Sequence, residues 1–182
     1  MCRNPPLQRM AWRHAIRWLA IASSCWFLAA CGSTSVQKDQ AKLRIRIETS
    51  DNANGDEQGR AMPIMVRVYE LKSAAAFDRA DFFTLQNSDK KALGDDILAV
   101  DEFVMRPGGE KLVRRKSNAD TTAIGVLAGF RELGRSVWRA TWKFPEAPDT
   151  AWYRALASDR NVNLNIRVGR EEVSITEVNG RQ

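Results

Sequence analysis

Lys42-Leu43-Arg44-Ile45-Arg46-Ile47-Glu48 alternates charged and apolar residues over its whole length. Successive side chains of an extended strand point to opposite faces, so this run makes a strand with one apolar and one charged face. The same period recurs along the chain. Ile64, Val66 and Val68 alternate with Met65, Arg67 and Tyr69, while Trp138, Ala140, Trp142 and Phe144 alternate with Arg139, Thr141 and Lys143. Val162, Leu164, Ile166 and Val168 alternate with Asn161, Asn163, Asn165 and Arg167. Residues 97–105, 111–115 and 173–176 supply further strands, and residues 122–130 another that is apolar on both faces and hence central. About eight half-buried strands with polar turns predict an antiparallel β-sandwich, a mainly β fold. Pro107-Gly108-Gly109 and Gly169-Arg170 have the composition of hairpin turns.

Two stretches break the rhythm. Residues 73–87 (SAAAFDRADFFTLQN) are Ala-rich and do not alternate, which predicts one or two short helices after the second strand. Ser73 and Asp78 are candidate N-caps, with Phe77, Phe82 and Leu85 turned inward. Residues 49–61 (TSDNANGDEQGRA) join the first two strands and hold no apolar side chain larger than Ala. Two residues suffice to connect neighbouring strands, and loops much longer than that are usually functional or disordered.

Outside this body lies a different composition. The 182 residues carry 28 Lys and Arg against 22 Asp and Glu, a net charge of +6. Residues 1–30 hold Arg3, Arg9, Arg13, Arg17 and His14, the only histidine, and no acid. The remaining 152 positions hold 24 basic and 22 acidic residues, so the body is nearly neutral. Residues 18–30 (WLAIASSCWFLAA) are uncharged and apolar, the length of a signal-peptide core; a spanning helix needs about 20 such residues. No second long apolar run predicts a transmembrane helix. Leu28-Ala29-Ala30-Cys31 is similar to a bacterial lipobox, in which the Cys receives a diacylglyceryl group and, after cleavage, an N-acyl chain. Gly32 then favours the outer membrane. The expected organisation is a cleaved leader (1–30), a lipidated Cys31 with a polar tether (31–40), and a sandwich domain (41–182).

The residue inventory argues against catalysis. A chain from Cys31 has one thiol and no imidazole, which excludes an internal disulfide, a Cys/His zinc site and His-dependent triads. Asp51, Asn52, Asn54, Asp56 and Glu57 miss the calcium-loop pattern, since Ala53 and Asp56 stand where an oxygen ligand and Gly are required. No metal and no cofactor beyond the acyl chains on Cys31 are expected. Asp95-Asp96, Asp101-Glu102 and Glu171-Glu172 are adjacent on the chain, so each doublet on a strand points to opposite faces and makes no acid–base pair by itself. Arg114-Arg115-Lys116 is one short basic run, either a solvated strand end or a contact for anionic lipid; nucleic-acid binders show longer basic stripes. Trp138 and Trp142 fit core packing, with a sugar platform as the alternative.

An ordered series of segments carries a resemblance. It runs through Gly59-Arg60, Pro63-Ile64-Met65-Val66-Arg67-Val68-Tyr69-Glu70-Leu71, Phe77, Ala80-Asp81-Phe82-Phe83 and Leu85. It continues through Leu93-Gly94-Asp95-Asp96, Arg106-Pro107-Gly108, Ile124-Gly125-Val126, Ala128-Gly129-Phe130-Arg131-Glu132-Leu133 and Trp138-Arg139. Behind a lipobox, this series resembles the TssJ (SciN/VasD) family of type VI secretion outer-membrane lipoproteins. The resemblance implies a transthyretin-like antiparallel β-sandwich of about eight strands, held by its lipid in the outer membrane and facing the periplasm. It implies a non-enzymatic assembly factor that binds the periplasmic C-terminal region of TssM and, through it, TssL. No nucleic acid and no small-molecule substrate are implied. The partner-binding loop of the family falls on the segment between the first two strands, here Asp51, Asn52, Asn54, Gly55, Asp56, Glu57 and Gln58. The alternative reading of the residues is a periplasm-facing lipoprotein module that binds a sugar, peptidoglycan or a protein ligand.

Overall fold

The structure, a computed structural model, describes residues 40–145 and 161–178. The expected leader, Cys31 and the tether up to residue 39 lie outside the described residues. Eight strands form where alternation predicts them: β1 (Lys42–Thr49), β2 (Ile64–Leu71), β3 (Ile97–Met105), β4 (Glu110–Lys116), β5 (Ala123–Ala128), β6 (Arg139–Lys143), β7 (Asn161–Val168) and β8 (Val173–Glu177). They make two four-stranded sheets, ordered β4-β1-β7-β8 and β3-β2-β5-β6. Leu43, Ile45, Ile47, Val162, Leu164 and Ile166 from the first sheet meet Ile64, Val66, Val68, Ile124 and Val126 from the second. Each large apolar side chain moved from water into this layer contributes about 1.5–3 kcal/mol.

Two expectations about pairing are corrected. The β1–β7 ladder is parallel, with Lys42 opposite Asn161 and Thr49 opposite Val168, whereas the other ladders are antiparallel. A period of two is blind to strand direction, and no hairpin joins β1 to β7. Pro107-Gly108-Gly109 is a turn but not a hairpin turn, because β3 and β4 lie in different sheets. The Gly109 N–H donates to the Arg106 carbonyl at 2.9 Å. Gly108 has φ +70°, which L side chains rarely adopt. Composition therefore signalled the reversal and not the hydrogen-bond partner. Gly169-Arg170 does close the β7–β8 hairpin, with Gly169 N–H donating to the Glu172 carbonyl at 2.8 Å.

Helices α1 (Ala75–Arg79) and α2 (Phe82–Leu93), followed by a 3-10 turn at Gly94–Asp96, cover the outer face of the second sheet. Phe77, Phe82, Leu85 and Leu93 pack there on Tyr69, Leu71, Ala123 and Leu127. This second apolar layer explains why β5 is buried on both faces. Gly125 fits it sterically, since a Cβ at that position would lie 2.9 Å from the Phe77 ring. Tyr69 lies beneath α2, and its hydroxyl donates toward Asp89 and the Leu85 carbonyl; burial pushes its pKa up to about 12, so it stays neutral. The capping expectation is corrected. Asp78 sits inside α1 and accepts from the Thr141 hydroxyl at 2.7 Å. Asp81 caps α2, accepting from Thr84 N–H at 3.0 Å. Extended Ala80 separates the helices and moves the cap three residues along.

The basic run Arg114-Arg115-Lys116 is divided by the β4 pleat. Arg115 turns into the gap between the sheet edges, 2.5 Å from Glu70 and from Asp101. Glu70 is only 1 % exposed, and its second oxygen accepts from Asn118 N–H and the Thr121 hydroxyl, both at 2.9 Å. Ionic contacts thus close the side of the sandwich where β3 and β4 run as facing edges. Removing one partner of a buried ion pair strands the other charge, typically at a cost of ~3–5 kcal/mol. Arg115→Met is therefore expected to destabilise the fold by about that amount, measured by urea unfolding; a change below ~1 kcal/mol would show that the closure is unimportant.

Candidate loop-pole binding site

All connections at one end of the sandwich converge: residues 50–63 (β1–β2), 106–109 (β3–β4), 129–138 (β5–β6) and 169–172 (β7–β8). The opposite end holds the start of β1, where the chain from the N-terminal segment joins the domain. Seven strand steps of 3.2–3.4 Å put these poles roughly 23 Å apart along β1.

The β1–β2 loop is folded onto its neighbours by hydrogen bonds. Ser50 N–H donates to the Val168 carbonyl (2.9 Å), Asn54 N–H to Gly169 (3.4 Å) and Gly108 N–H to Ser50 (3.2 Å). Thr49, buried at the strand end, donates its hydroxyl toward the Arg106 and Gly109 carbonyls at 2.6 and 2.9 Å. Asn54 takes φ +50°, a left-handed conformation that Asn tolerates better than most side chains. Its amide donates to the Pro63 carbonyl at 2.9 Å and accepts from Arg131 N–H at 2.8 Å. Asp56 accepts from the N–H groups of Gln58 and Arg60 at 3.0 and 2.8 Å and pairs with the Arg60 guanidinium at 2.7 Å.

The seven candidate residues therefore fall into two groups. Asn54 and Asp56 are buried and hold the loop's shape, and Gly55 is half-buried against Arg170. Asp51, Asn52, Glu57 and Gln58 are exposed on the loop. Asp51 also borders an open groove of about 630 Å³ with Gly108, Gly109, Arg167 and Glu172. Sequence reading missed these neighbours because the groups brought together are far apart in the chain; Arg131 and Asn54 are 77 residues apart. The pinning role of Asn54 had one local signal, the Asn54-Gly55 dipeptide, a common turn former.

Other candidate chemistry is already committed to structural contacts. Asp101 faces Arg115 and Glu102 faces Arg67, on opposite sides of β3, while Glu171 lies 3.2 Å from Arg135. Glu70 and Asp101 do converge from neighbouring strands, but both are engaged by the same guanidinium, that of Arg115. Among the described residues no group of three His, Cys, Asp or Glu is arranged to hold a metal. Trp138 packs edge-on against Phe82 with ring centroids 5.5 Å apart, and Trp142 against Phe144 at 4.7 Å. Both indoles also pack against the core between the sheets, as the alternation predicts.

The Arg60 backbone N–H, above all, holds the Asp56 carboxyl below its ordinary range, helped by the Arg60 guanidinium and opposed by desolvation. Because the folded value is the lower one, this contribution is complete above the unfolded value of 3.8 and is lost as pH falls through the folded value. Asp56→Asn should lower the urea midpoint at pH 7, and the gap from the parent should close on acidification through the carboxylate range. A gap of constant size at every pH would assign the effect to packing.

A model of the T6SS-SciN family, described as the type VI secretion lipoprotein VasD, EvfM, TssJ, matches residues 41–171. The T6SS lipoprotein TssJ1 from Pseudomonas aeruginosa is 31% identical, with a TM-score of 0.67, over 76% of this chain and 97% of its own. Serratia marcescens Lip, a membrane-bound component of the type VI secretion system, is 30% identical with a TM-score of 0.66, over 76% and 97%. A chain in the structure of the T6SS protein TssM C-terminal domain from EAEC is 25% identical with a TM-score of 0.58, over 75% and 98%. No curated protein sequence matches. With eight strands in the same architecture and a family match that runs from β1 through β7, the chain belongs to the T6SS-SciN (TssJ) family of type VI secretion lipoproteins.

Proposed function

We propose that this lipoprotein ties a type VI secretion membrane complex to the outer membrane, acting as an adaptor without catalysis. Cys31 carries the diacylglyceryl and N-acyl chains, and the domain faces the periplasm. One chain gives marginal membrane binding at about 0.8 kcal/mol per buried CH₂, whereas two or more hold stably. The leader of residues 1–30, with its acid-free flank and apolar core ending at Cys31, supports this route.

The observation that carries the adaptor reading is the position of the β1–β2 loop. It is pinned by Asn54 and Asp56 at the pole opposite the start of β1, with Asp51, Asn52, Glu57 and Gln58 outward. A domain tethered at one pole presents such a loop away from the lipid, toward a partner reaching across the periplasm. That partner is the C-terminal region of TssM, with TssL joined through it. The likeness to a chain in a TssM C-terminal domain structure supports the choice. A pre-folded loop is suited to this task, since less ordering entropy is lost on binding.

Two experiments follow. Cys31→Ser should move the protein out of the detergent-extracted membrane fraction; retention there would remove the anchor from the proposal. Asp51→Arg with Glu57→Arg should leave thermal unfolding within a few degrees of the parent and reduce capture of the TssM C-terminal region at least tenfold. Capture at the parent's level would direct the search to another surface.

A further inference from the structure

The outer face of the sheet β4-β1-β7-β8 is divided by charge. At the loop pole, Glu48 lies opposite Glu110 across the β1–β4 ladder. Arg46 bridges them at 3.3 and 2.7 Å, and Arg167 approaches Glu48 at 3.7 Å. Two acids and two bases cancel, and the Arg46 side chain holds the Glu110 carboxyl below its usual range. Toward the start of β1 the pattern changes. The register sets Lys42 opposite Lys116 and Arg44 opposite Arg114, all four exposed. The β7 residues beside them are the uncharged Asn161 and Asn163. Among the described residues, no carboxylate forms an ion pair with Arg44, Arg114 or Lys116.

Like charges placed directly opposite on paired strands destabilise a sheet. Here two successive cross-strand pairs are both cationic, and among the described residues no carboxylate bridges Arg44 to Arg114 as Arg46 bridges the acidic pair at the far end. A polyanionic surface laid against the near half would remove that repulsion. The cations stand on a sheet face, so a planar array of anions can meet them together. Lys42 is also the first residue of β1, and the ten residue steps from Cys31 to Ala41 extend at most ~36 Å. Under the anchoring proposed above, on which this step rests, this end of the sheet is held beside the bilayer.

We propose that the face formed by Lys42, Arg44, Arg114 and Lys116 docks on anionic phospholipid headgroups and sets the orientation of the tethered domain. The acyl chains hold the protein at the membrane, and contact confined to the near half of this face leaves the loop pole, roughly 23 Å along β1, clear of that contact. Each basic side chain near an anionic surface contributes about fivefold to partitioning, so Arg44, Arg114 and Lys116 together contribute on the order of a hundredfold.

The test is amine acetylation of the full lipidated chain in vesicles of phosphatidylcholine alone and of phosphatidylcholine with phosphatidylglycerol. Lys116 should react at least fivefold more slowly on the anionic vesicles, with the protection fading at high salt. Lys90 and Lys91, exposed on α2, are the internal controls and should react equally on both. The double substitution Arg44→Glu, Arg114→Glu should abolish the difference at Lys116. Equal Lys116 reactivity on both vesicles, with the protein floating on both, overturns the face and leaves the anchor standing. Flotation with anionic vesicles alone supports the face and overturns the acyl anchor, whereas flotation with neither overturns both. Protection that appears only on adding the TssM C-terminal region, whatever the lipid, assigns the face to a protein and overturns the proposal.

Discussion

Burial of alternate residues along β1 is the constraint on which the remaining structure depends. Leu43, Ile45 and Ile47 are each at most 2 % exposed, and the strand is hydrogen-bonded on both sides, to β4 and to β7. A slip of one residue in register would turn the whole apolar set to water and the charged set into the core. Because β1 cannot slip, its charged residues occupy fixed places on the outer face. Its first residue fixes where the N-terminal segment joins, and its last, Thr49, fixes the base of the β1–β2 loop through two hydroxyl contacts.

The second sheet solves a different problem. Its inner face completes the sandwich, but its outer face is apolar as well, and helices α1 and α2 remove that face from water. The helices are held by polar clamps as well as by packing. Arg139 donates to the Phe77 and Ala80 carbonyls at 2.9 and 2.8 Å, at the end of α1. Arg67 reaches Glu102, the Tyr69 hydroxyl and the Leu85 and Gln86 carbonyls in the first half of α2.

Much of this was legible in the residues. The strands were readable because period two, and for β5 an unbroken apolar run, are local properties, and the family resemblance rested on segments such as residues 63–71. The helix was read short, since the polar run from Ser88 to Lys91 inside α2 interrupts the apolar marking before Ala92 and Leu93, and Ser88 itself departs from helical geometry. The parallel β1–β7 pair and the true role of the Pro107-Gly108-Gly109 turn were not legible, because alternation and turn composition carry no information about partners. At the candidate site, the sequence marked the loop by its length. It did not separate Asn54 and Asp56, which hold the loop, from Asp51 and Glu57, which face solvent.

The sequence by itself determined the strand set, the apolar and charged faces of each strand, and that residues 41–182 carry no thiol and no imidazole. These depend on residue type and spacing over a few positions. The tertiary structure alone decided which charges are neutralised. It turned Arg115 inward to Glu70 and Asp101, left Arg114 and Lys116 outward across from Arg44 and Lys42, and joined Asn54 to Arg131. Those outcomes follow from strand register and sheet order, and register brings together residues whose separation along the chain gives no hint of their contact.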